Sequence, residues 1–372
     1  MLFKYLGDVI SSLTHGRELN PVEHVDALRT SLIAADRAAA ALGPEGVQGP
    51  GNEKLVSLQS EVARHIRALK AILFSTATPG PPRGGDSTLV GSEQREDDPA
   101  RTDTSAGDLV RLAADGDLLI LLAKYLAAMD FETRKDAVLV FTNLIRRSAN
   151  GKAAESGVVA RDGEVLRILV SGYDSHDVAL NCGTMLRACL KSEEATKLVL
   201  GNHDLFHRFF SLVQVLDFDV MSDAFASFKE LLTRHPDLAA EFILEHYDTI
   251  IPPYNDLLQS KNYVSRRQSL KLLGEMLLER SNFHIMTRYI SSPDNLKLIM
   301  NLLLDSRKNI QYEAFHIFKI FVANPKKSPP VHTILRKNKD RMIAYLSDFL
   351  TDRDDEQFQD DRQVILAEIE NM

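Results

Sequence analysis

The sequence predicts an all-α protein built from stacked helical repeats, and three observations lead to this fold class. Apolar residues recur at three- and four-residue intervals in one segment after another, which is the spacing of one face of an α-helix. No segment alternates apolar and polar residues over the length that a strand needs. The chain has 372 residues, more than a single hydrophobic core usually holds, so it forms several domains or one elongated array.

A small residue followed by a large one marks the same position in five successive segments. These pairs are separated by 42, 45, 45 and 45 residues, the period of HEAT and armadillo repeats. Any helical bundle shows apolar triplets, but nearly equal separations favour true repeats. We therefore expect an armadillo/HEAT-like solenoid wound as a right-handed superhelix, in which each repeat buries its apolar face against the next. The pairs are Ala137-Val138, Ala179-Leu180, Ala224-Phe225, Ser269-Leu270 and Ala314-Phe315.

Four segments of different character divide the chain. Residues 1–75 contain N-terminal helices that we expect to cap the solenoid. Residues 76–106 form an insertion that we expect to be disordered, because its few apolar side chains cannot offset the entropy lost on ordering. Armadillo-like repeats occupy residues 107–351, and residues 352–372 hold an acidic segment followed by a C-terminal helix.

The first two helices have clear boundaries in the sequence. Asn20 is a favourable N-cap and Pro21 suits the first helical turn, while the Gly43-Pro44 pair predicts the end of this helix. A second helix is predicted from Glu53 to Ser75. The apolar residues of Met1–Thr14 are interrupted by charged ones, which predicts a short amphipathic helix rather than a signal peptide.

Helical signals continue from residue 108 almost to the end of the chain. Prolines and glycines set most of the predicted boundaries. The predicted segments are Asp108–Ala114, Leu118–Met129, Asp130–Arg147, Glu164–Tyr173, Asp177–Leu190, Glu193–Leu200, Leu205–Leu216, Val220–Arg234, Leu238–Tyr247, Pro253–Gln259, Val264–Glu279, Phe283–Ile290, Asp294–Leu304, Asn309–Val322, Val331–Arg336, Arg341–Leu350 and Val364–Ile369.

Composition limits the class of partner. The net charge of −8 and the pI near 5.8 argue against broad binding of nucleic acid, which needs a basic surface. No run approaches about 18 apolar residues, so no membrane span is expected. Cys182 and Cys189 lie about 10 Å apart along one predicted helix, too far for a disulfide. They predict buried thiols in a reducing compartment.

Common catalytic and metal-binding motifs are missing from the sequence. His203 and His207 have the spacing of a zinc-protease helix, but Asp204 stands where that motif has glutamate and no third ligand is evident. The carboxylate-rich stretch 352–361 lacks the alternating ligands and central glycine of a calcium loop. We expect no catalytic residue, metal or cofactor, and a zinc enzyme built on the two histidines ranks last among the alternatives.

The helix near Val264–Glu279 combines an apolar inner face with a basic outer face. Arg266, Arg267 and Lys271 lie opposite its leucines, and the concave wall of a solenoid is the usual place for a partner. We interpret this helix as part of such a wall. Phe218 opens the equivalent helix one repeat earlier.

Three residues near the end of that helix predict a peptide pocket. Arg280, Phe283 and Met300 combine an arginine, an aromatic ring and a flexible thioether, which together suit an aromatic peptide carrying a carboxylate. The alternative is that Phe283 and Met300 are ordinary core residues and the arginine is solvated. Composition alone slightly favours that alternative.

Five long runs carry a resemblance to a known family. They resemble the calcium-binding protein 39 family, the Mo-twenty-five-like scaffolds whose fungal members are the Hym-type morphogenesis proteins. The resemblance covers about Leu109–Gln359, and the N-terminal segment 1–19 and the insertion at 76–106 depart from it. The runs are Asp130–Arg147, Ala179–Leu190, Ser222–His235, Asn262–Ser291 and Asn309–Lys327.

The resemblance implies a cytoplasmic, non-catalytic adaptor in signalling for cell polarity and morphogenesis. Such an adaptor binds and activates a sterile-20-type (germinal-centre) protein kinase or pseudokinase, and anchors its C-terminal Trp-Glu-Phe-like tail. No calcium loop matches the family name, so no calcium site is predicted. The alternative is an armadillo-type peptide-binding adaptor that does not act on a kinase.

The resemblance also assigns residues to two surfaces. The family's kinase-facing concave surface corresponds to Phe218, Tyr263, Arg267 and Lys271. Its tail pocket corresponds to Arg280, Phe283 and Met300, so that the pocket interpretation now outweighs the ordinary core. Without its partner we expect the protein to be a monomer.

Overall fold

The computed structural model describes residues 20–47, 52–74, 99–114, 117–149 and 153–372. Over these ranges the chain is helical and has no strand, so the predicted fold class, an all-α protein of helical repeats, is confirmed. The N-terminal segment 1–19 and residues 76–98 of the predicted insertion lie outside the described residues. The chain forms two compact units, Met1–Val199 and Leu200–Met372.

The first helix of the described residues is well capped. The Asn20 side chain accepts from the backbone of Glu23 at 3.0 Å, and the Glu23 carboxylate accepts from the Asn20 backbone at 2.9 Å, a capping box that confirms the predicted start. The helices are α1 (Pro21–Val47), α2 (Glu53–Phe74), α3 (Pro99–Ala114), α4 (Asp117–Lys124), α5 (Phe131–Ala149), α6 (Ala153–Ser171) and α7 (Ala179–Cys189), and α8 (Glu193–Gly201) spans the boundary between the units.

The second unit consists of helices of 8 to 16 residues that repeat in groups of three. The third helices of successive repeats are neighbours: α10 packs on α13, α13 on α16, and α16 on α19. The helices are α9 (His203–Leu212), α10 (Phe218–Thr233), α11 (Pro236–Glu245), α12 (Tyr247–Leu258), α13 (Tyr263–Leu278), α14 (Phe283–Ile290), α15 (Pro293–Leu303), α16 (Lys308–Ala323), α17 (Pro329–Lys337), α18 (Lys339–Ser347) and α19 (Glu356–Glu370).

The positions that the sequence marks as equivalent in successive repeats are equally buried in the structure. All five small residues of the marker pairs are fully buried at 0% exposure. On α13 the predicted inner face is buried as well, with Leu270, Leu273, Met276 and Leu277 at most 3% exposed. Full burial of such side chains stabilises the fold by roughly 1.5 to 3 kcal/mol each. The small residues are Ala137, Ala179, Ala224, Ser269 and Ala314.

Prolines predicted two boundaries wrongly. Helix α1 continues through Gly43-Pro44 to Val47, although a proline at this position removes a hydrogen bond to the preceding turn and its ring crowds the carbonyl of residue 40. Helix α12 begins at Tyr247 and contains Pro252 and Pro253. An interior proline costs about 3 kcal/mol, and burial of the side chains around it, which include Ile250 at 1% exposure, offsets a cost of this size.

Helix α3 begins inside the range predicted to be disordered. It starts at Pro99, and Ala106, Leu109 and Ala113, one above another on the same face, are at most 2% exposed. Helix α3 packs against α6 and α1. The predicted helix Asp108–Ala114 thus extends back to Pro99, and of the three buried residues only Ala106 lies in the range predicted to be disordered.

The two cysteines are free and buried, as predicted. Burial raises the pKa of the Cys189 thiol far above its ordinary value, so this thiol is unreactive. Gly172 is required beside Cys182, since a Cβ at that glycine would lie 2.3 Å from the cysteine sulfur. Among the described helices, none combines the length and apolar content needed to cross a membrane.

Candidate partner-binding surfaces

Helix α13 displays three of the predicted surface residues along one face. The Asn262 side chain caps the helix by accepting from the backbone of Val264 at 2.9 Å. Tyr263 is the first residue of the helix, and Arg267 and Lys271 follow at four-residue intervals, so all three share a face. Both cations are exposed and Tyr263 is half-buried.

Phe218 occupies the equivalent position on the neighbouring helix. It is the first residue of α10, after Asp217, whose side chain accepts from the backbone of Val220 at 3.0 Å. Its ring is 61% exposed. Because α10 packs on α13 and Phe218 and Tyr263 hold the same place in their repeats, the structure brings the four predicted residues onto two adjacent helices. We call Phe218, Tyr263, Arg267 and Lys271 the aromatic–basic surface.

A groove runs between the two helices. It has a volume of about 220 Å³ and a mainly apolar lining. Small residues on α10, Ser222 and Ala226, leave it open, and Lys229 lies at its edge, where its ammonium group is 2.6 Å from the Glu275 carboxylate of α13. The lining residues are Met221, Ser222, Phe225, Ala226, Lys229, Val264, Ser265 and Gln268.

The Tyr263 side chain is held from the next repeat. Its hydroxyl oxygen accepts from the Asn309 amide at 3.2 Å, and the Arg307 guanidinium lies 5.2 Å from the ring centre. Arg307 is itself fixed by Asp305, to which it donates two hydrogen bonds of 2.8 Å. A contact residue held in this way loses little conformational freedom on binding.

Arg266 does not belong to the exposed basic face on which the sequence placed it. Its side chain is only 18% exposed. It donates to the Ser260 carbonyl at 2.9 Å and to the Asp305 carboxylate at 2.6 Å, and so joins α13 to the loop before α16. Hydrogen bonds from Arg307 lower the pKa of Asp305 far below its ordinary value, with Arg266 adding to the effect. We call Arg266, Asp305 and Arg307 the arginine clamp.

Glu313 is a residue of this site that the sequence did not single out. It lies on α16 and is 8% exposed, and its carboxylate is 3.5 Å from the Arg267 Nε. Its position in the repeat could have indicated it, because Glu313 directly precedes the marker residue Ala314, just as Asp136 precedes Ala137. In the structure Asp136 forms an ion pair with Lys70 at 2.6 Å.

The predicted tail-pocket residues lie beyond the C-terminal end of α13. Arg280 opens a 3₁₀ turn, Arg280–Asn282, and Phe283 begins α14. Both are exposed, the phenylalanine at 59%. Met300 is half-buried in the last turn of α15, which packs against α14.

Two neighbouring side chains fix the turn that carries Arg280. The Ser281 hydroxyl bonds the Asp237 carboxylate at 2.5 Å, and the buried Asn282 amide donates to the Met276 carbonyl at 2.8 Å. Their backbone is therefore tied to α11 and to the end of α13. Phe283 is exposed, so the alternative that it is an ordinary core residue is wrong.

The two histidines with zinc-like spacing face each other on α9. The His203 and His207 rings stack with centres 4.0 Å apart. Burial, and then the nearby His203, lower the pKa of His207. In the part of the chain that the structure describes, no group of three or more His, Cys, Asp or Glu side chains is placed to hold a metal ion.

Comparison with known proteins decides the family. The model of the Mo25-like family matches residues 13–372. The chain belongs to the Mo25-like family. It is 40% identical to a human protein named calcium-binding protein 39-like over 354 residues, 95% of each chain. It is 38% identical over 291 residues to the conidiophore development protein hymA of Emericella nidulans, which covers 70% of this chain and 76% of that one.

A solved structure of computationally designed armadillo repeat proteins for modular peptide recognition also aligns with the chain. The TM-score is 0.40 at 14% identity, with 79% of this chain and 99% of that chain covered. Membership of the Mo25-like family makes the protein a scaffold of the Mo25 type.

Proposed function

We propose that this protein is a non-catalytic scaffold that binds and activates a sterile-20-type (germinal-centre) protein kinase or pseudokinase. It acts as a monomer in the cytoplasm until it meets its partner, and it uses no cofactor, nucleic acid or membrane span. Its pathway is one that controls cell polarity and morphogenesis. The name of the Emericella nidulans relative, a conidiophore development protein, supports this biological role.

The observation that carries the proposal is the aromatic–basic surface. Aromatic and arginine side chains dominate the binding energy of protein interfaces, and here an exposed phenylalanine, a fixed tyrosine and two exposed cations lie on adjacent helices. The apolar groove between these helices offers room for one partner side chain. Folding therefore leaves a preformed contact surface that the protein's own core does not use.

A second contact is proposed at the other end of the same helix. Helix α13 has 16 residues, which makes it about 24 Å long. Tyr263 is at its first residue and Arg280 lies just beyond its last. The two surfaces are thus far enough apart to bind different parts of one partner: the body of a kinase at the aromatic–basic surface and its aromatic, acidic tail at Arg280, Phe283 and Met300.

Two separate contacts explain how a scaffold without catalytic groups activates a kinase. A ligand shifts a conformational equilibrium only by its difference in affinity for the two states. Contact with the closed kinase body supplies that difference. Tail binding raises the local concentration of the kinase, so the body contact need not be strong alone.

The decisive experiment measures both contacts with one set of variants. A purified sterile-20-type kinase is assayed for activity with increasing scaffold, and its fluorescent tail peptide is titrated by polarisation. Phe218→Ala is expected to lower kinase stimulation and to leave tail affinity unchanged. Tail binding with no stimulation by the wild-type protein would instead identify a peptide-binding adaptor that does not act on the kinase.

A further inference from the structure

Glu313 is a buried carboxylate beneath the aromatic–basic surface. It is 8% exposed, and carboxylates are almost never buried unless they are paired. Its ion pair with Arg267 is long, at 3.5 Å, whereas charge-assisted hydrogen bonds of this type are about 2.7 to 2.9 Å. The pair is therefore incomplete, and the carboxylate is held in the fold at some cost.

The charged groups around Glu313 come from two other parts of the chain. Arg267 and Lys271 face it from α13, and Arg353 approaches from the turn before α19. Tyr312 is its neighbour on α16 itself. Burial raises the pKa of Glu313, and the three cations offset only part of that rise. The site thus carries an internal negative charge that the surrounding cations do not fully stabilise.

The cations that face Glu313 also face solvent. The Arg267 side chain is 46% exposed, and Lys271 is exposed one helical turn further along α13. An arginine has five N–H donors in a fixed planar arrangement, so a guanidinium in loose contact with one carboxylate can bind a second anionic group. Two cations at this spacing suit a carboxylate or phosphate on a partner.

We propose that Arg267 and Lys271 form a binding site for an acidic side chain of the partner protein, and that Glu313 is an internal counter-ion which competes with that side chain for Arg267. This inference rests on the proposed function, because it gives the chemistry of one part of the aromatic–basic surface. A phosphorylated residue is the other anionic source that the same cations accept.

The competition has a direction that can be measured. When the partner's acidic group binds, it neutralises the cations that favour ionised Glu313 and adds a negative charge nearby, so the pKa of Glu313 rises further in the complex. Binding is then coupled to uptake of a proton at Glu313. The partner is expected to bind more tightly as the pH falls below neutral.

The test replaces Glu313 by its neutral isostere. Glu313→Gln resembles the protonated form, so it is expected to bind a purified sterile-20-type kinase domain about three- to tenfold more tightly at neutral pH. It should also lose most of the pH dependence. Calorimetry in two buffers of different ionisation enthalpy should detect proton uptake for the wild-type protein and not for the variant.

A matched control removes a carboxylate of the same kind elsewhere. Asp361 on α19 pairs with Lys319 of α16 at 2.5 Å but contacts neither Arg267 nor Lys271, so Asp361→Asn should leave kinase affinity and its pH dependence unchanged. An unphosphorylated and a phosphorylated kinase domain are compared to distinguish the two anionic sources. The calorimetric measurement of proton uptake on binding uses only the wild-type protein. It therefore tests the proposal even if Glu313→Gln does not fold.

The outcomes separate this inference from the proposed function. Weaker binding by Glu313→Gln would mean that Glu313 only positions Arg267, and would overturn the competition. A wild-type protein that binds without proton uptake would overturn it as well. If Arg267→Ala has no effect on kinase binding, the aromatic–basic surface is not the contact surface and the proposed function fails with it.

Discussion

At the scale of single residues, three of the side chains that the family resemblance assigns to the two surfaces are exposed to solvent. Phe218, Phe283 and Lys271 are large or charged residues at positions outside the apolar stripe of their helices, and all three are exposed. The sequence did not distinguish Arg266 from Arg267. Adjacent residues on a helix point about 100° apart, and only the neighbouring loop decides that one guanidinium is enclosed while the other reaches solvent.

Reversal of charge at Arg267 separates the two proposed surfaces. Arg267→Glu places a negative charge beside Glu313 and removes a cation from the aromatic–basic surface, so kinase stimulation should fall about tenfold or more. Tail-peptide affinity should stay within about twofold, because Arg280 lies about 20 Å from Arg267 along the helix axis. Activity assays and polarisation titrations on the same preparation check this. Equal loss of both activities would contradict two separable surfaces.

Met300 gives the corresponding test of the tail pocket. It is half-buried next to α14, so Met300→Ala removes part of the proposed floor without opening the core. We expect about a fivefold to tenfold loss of tail-peptide affinity, since truncation of an interface anchor typically costs about 1 kcal/mol or more. Unchanged circular dichroism and thermal unfolding serve as the control. Normal affinity of a folded variant would remove Met300 from the site.

At the scale of elements, the arginine clamp determines how α13 meets α16. Asp305 accepts hydrogen bonds from both Arg266 and Arg307, which lower its pKa. A carboxyl group with a lowered folded pKa stabilises the fold above its unfolded pKa, and this stabilisation is lost as the pH falls through the folded value. At neutral pH the full contribution is therefore present.

Replacement of this aspartate should loosen the junction. Asp305→Asn leaves two guanidinium groups close together without a counter-charge, and we expect a loss of about 1 to 3 kcal/mol in the free energy of unfolding. Urea denaturation at neutral pH measures it. Asp294→Asn is the control, because Asp294 belongs to a highly exposed pair with Lys297 and such pairs contribute about 0 to 1 kcal/mol. If the two variants lose the same free energy of unfolding, the arginine clamp does not stabilise the junction between α13 and α16.

At the scale of the whole molecule, each repeat depends on its neighbours for burial. Helix α19 covers α16, where Phe358 packs on Phe315 with ring centres 4.9 Å apart and on Tyr312 at 5.3 Å. In a repeat array, terminal elements protect the apolar face of the last unit. The predicted C-terminal segment 352–372 thus contributes to the core of the second unit as well as carrying acidic residues.

Truncation of the C-terminal segment should expose that face. Deletion of residues 352–372 is expected to lower the unfolding temperature by several degrees, about the change that a loss of 1 to 3 kcal/mol produces. Amide hydrogen exchange should become faster in α16, which loses its cover, and change less in α10. Deletion of 371–372 alone is the control and should change neither. Unaltered exchange in α16 after the longer deletion would contradict a capping role.

The sequence by itself determined the helical class, the period of the repeats and the buried residue at each marker position, because these depend on local periodicity and on side-chain size. Its resemblance to the family marked the candidate contact residues, which composition alone did not decide. The tertiary structure alone decided that α12 continues through Pro252 and Pro253, that Arg266 belongs to the arginine clamp, and that Glu313 lies under Arg267. Each of these depends on which groups from distant parts of the chain share one small volume, and burial there changes both the cost of a proline and the pairing of a charge.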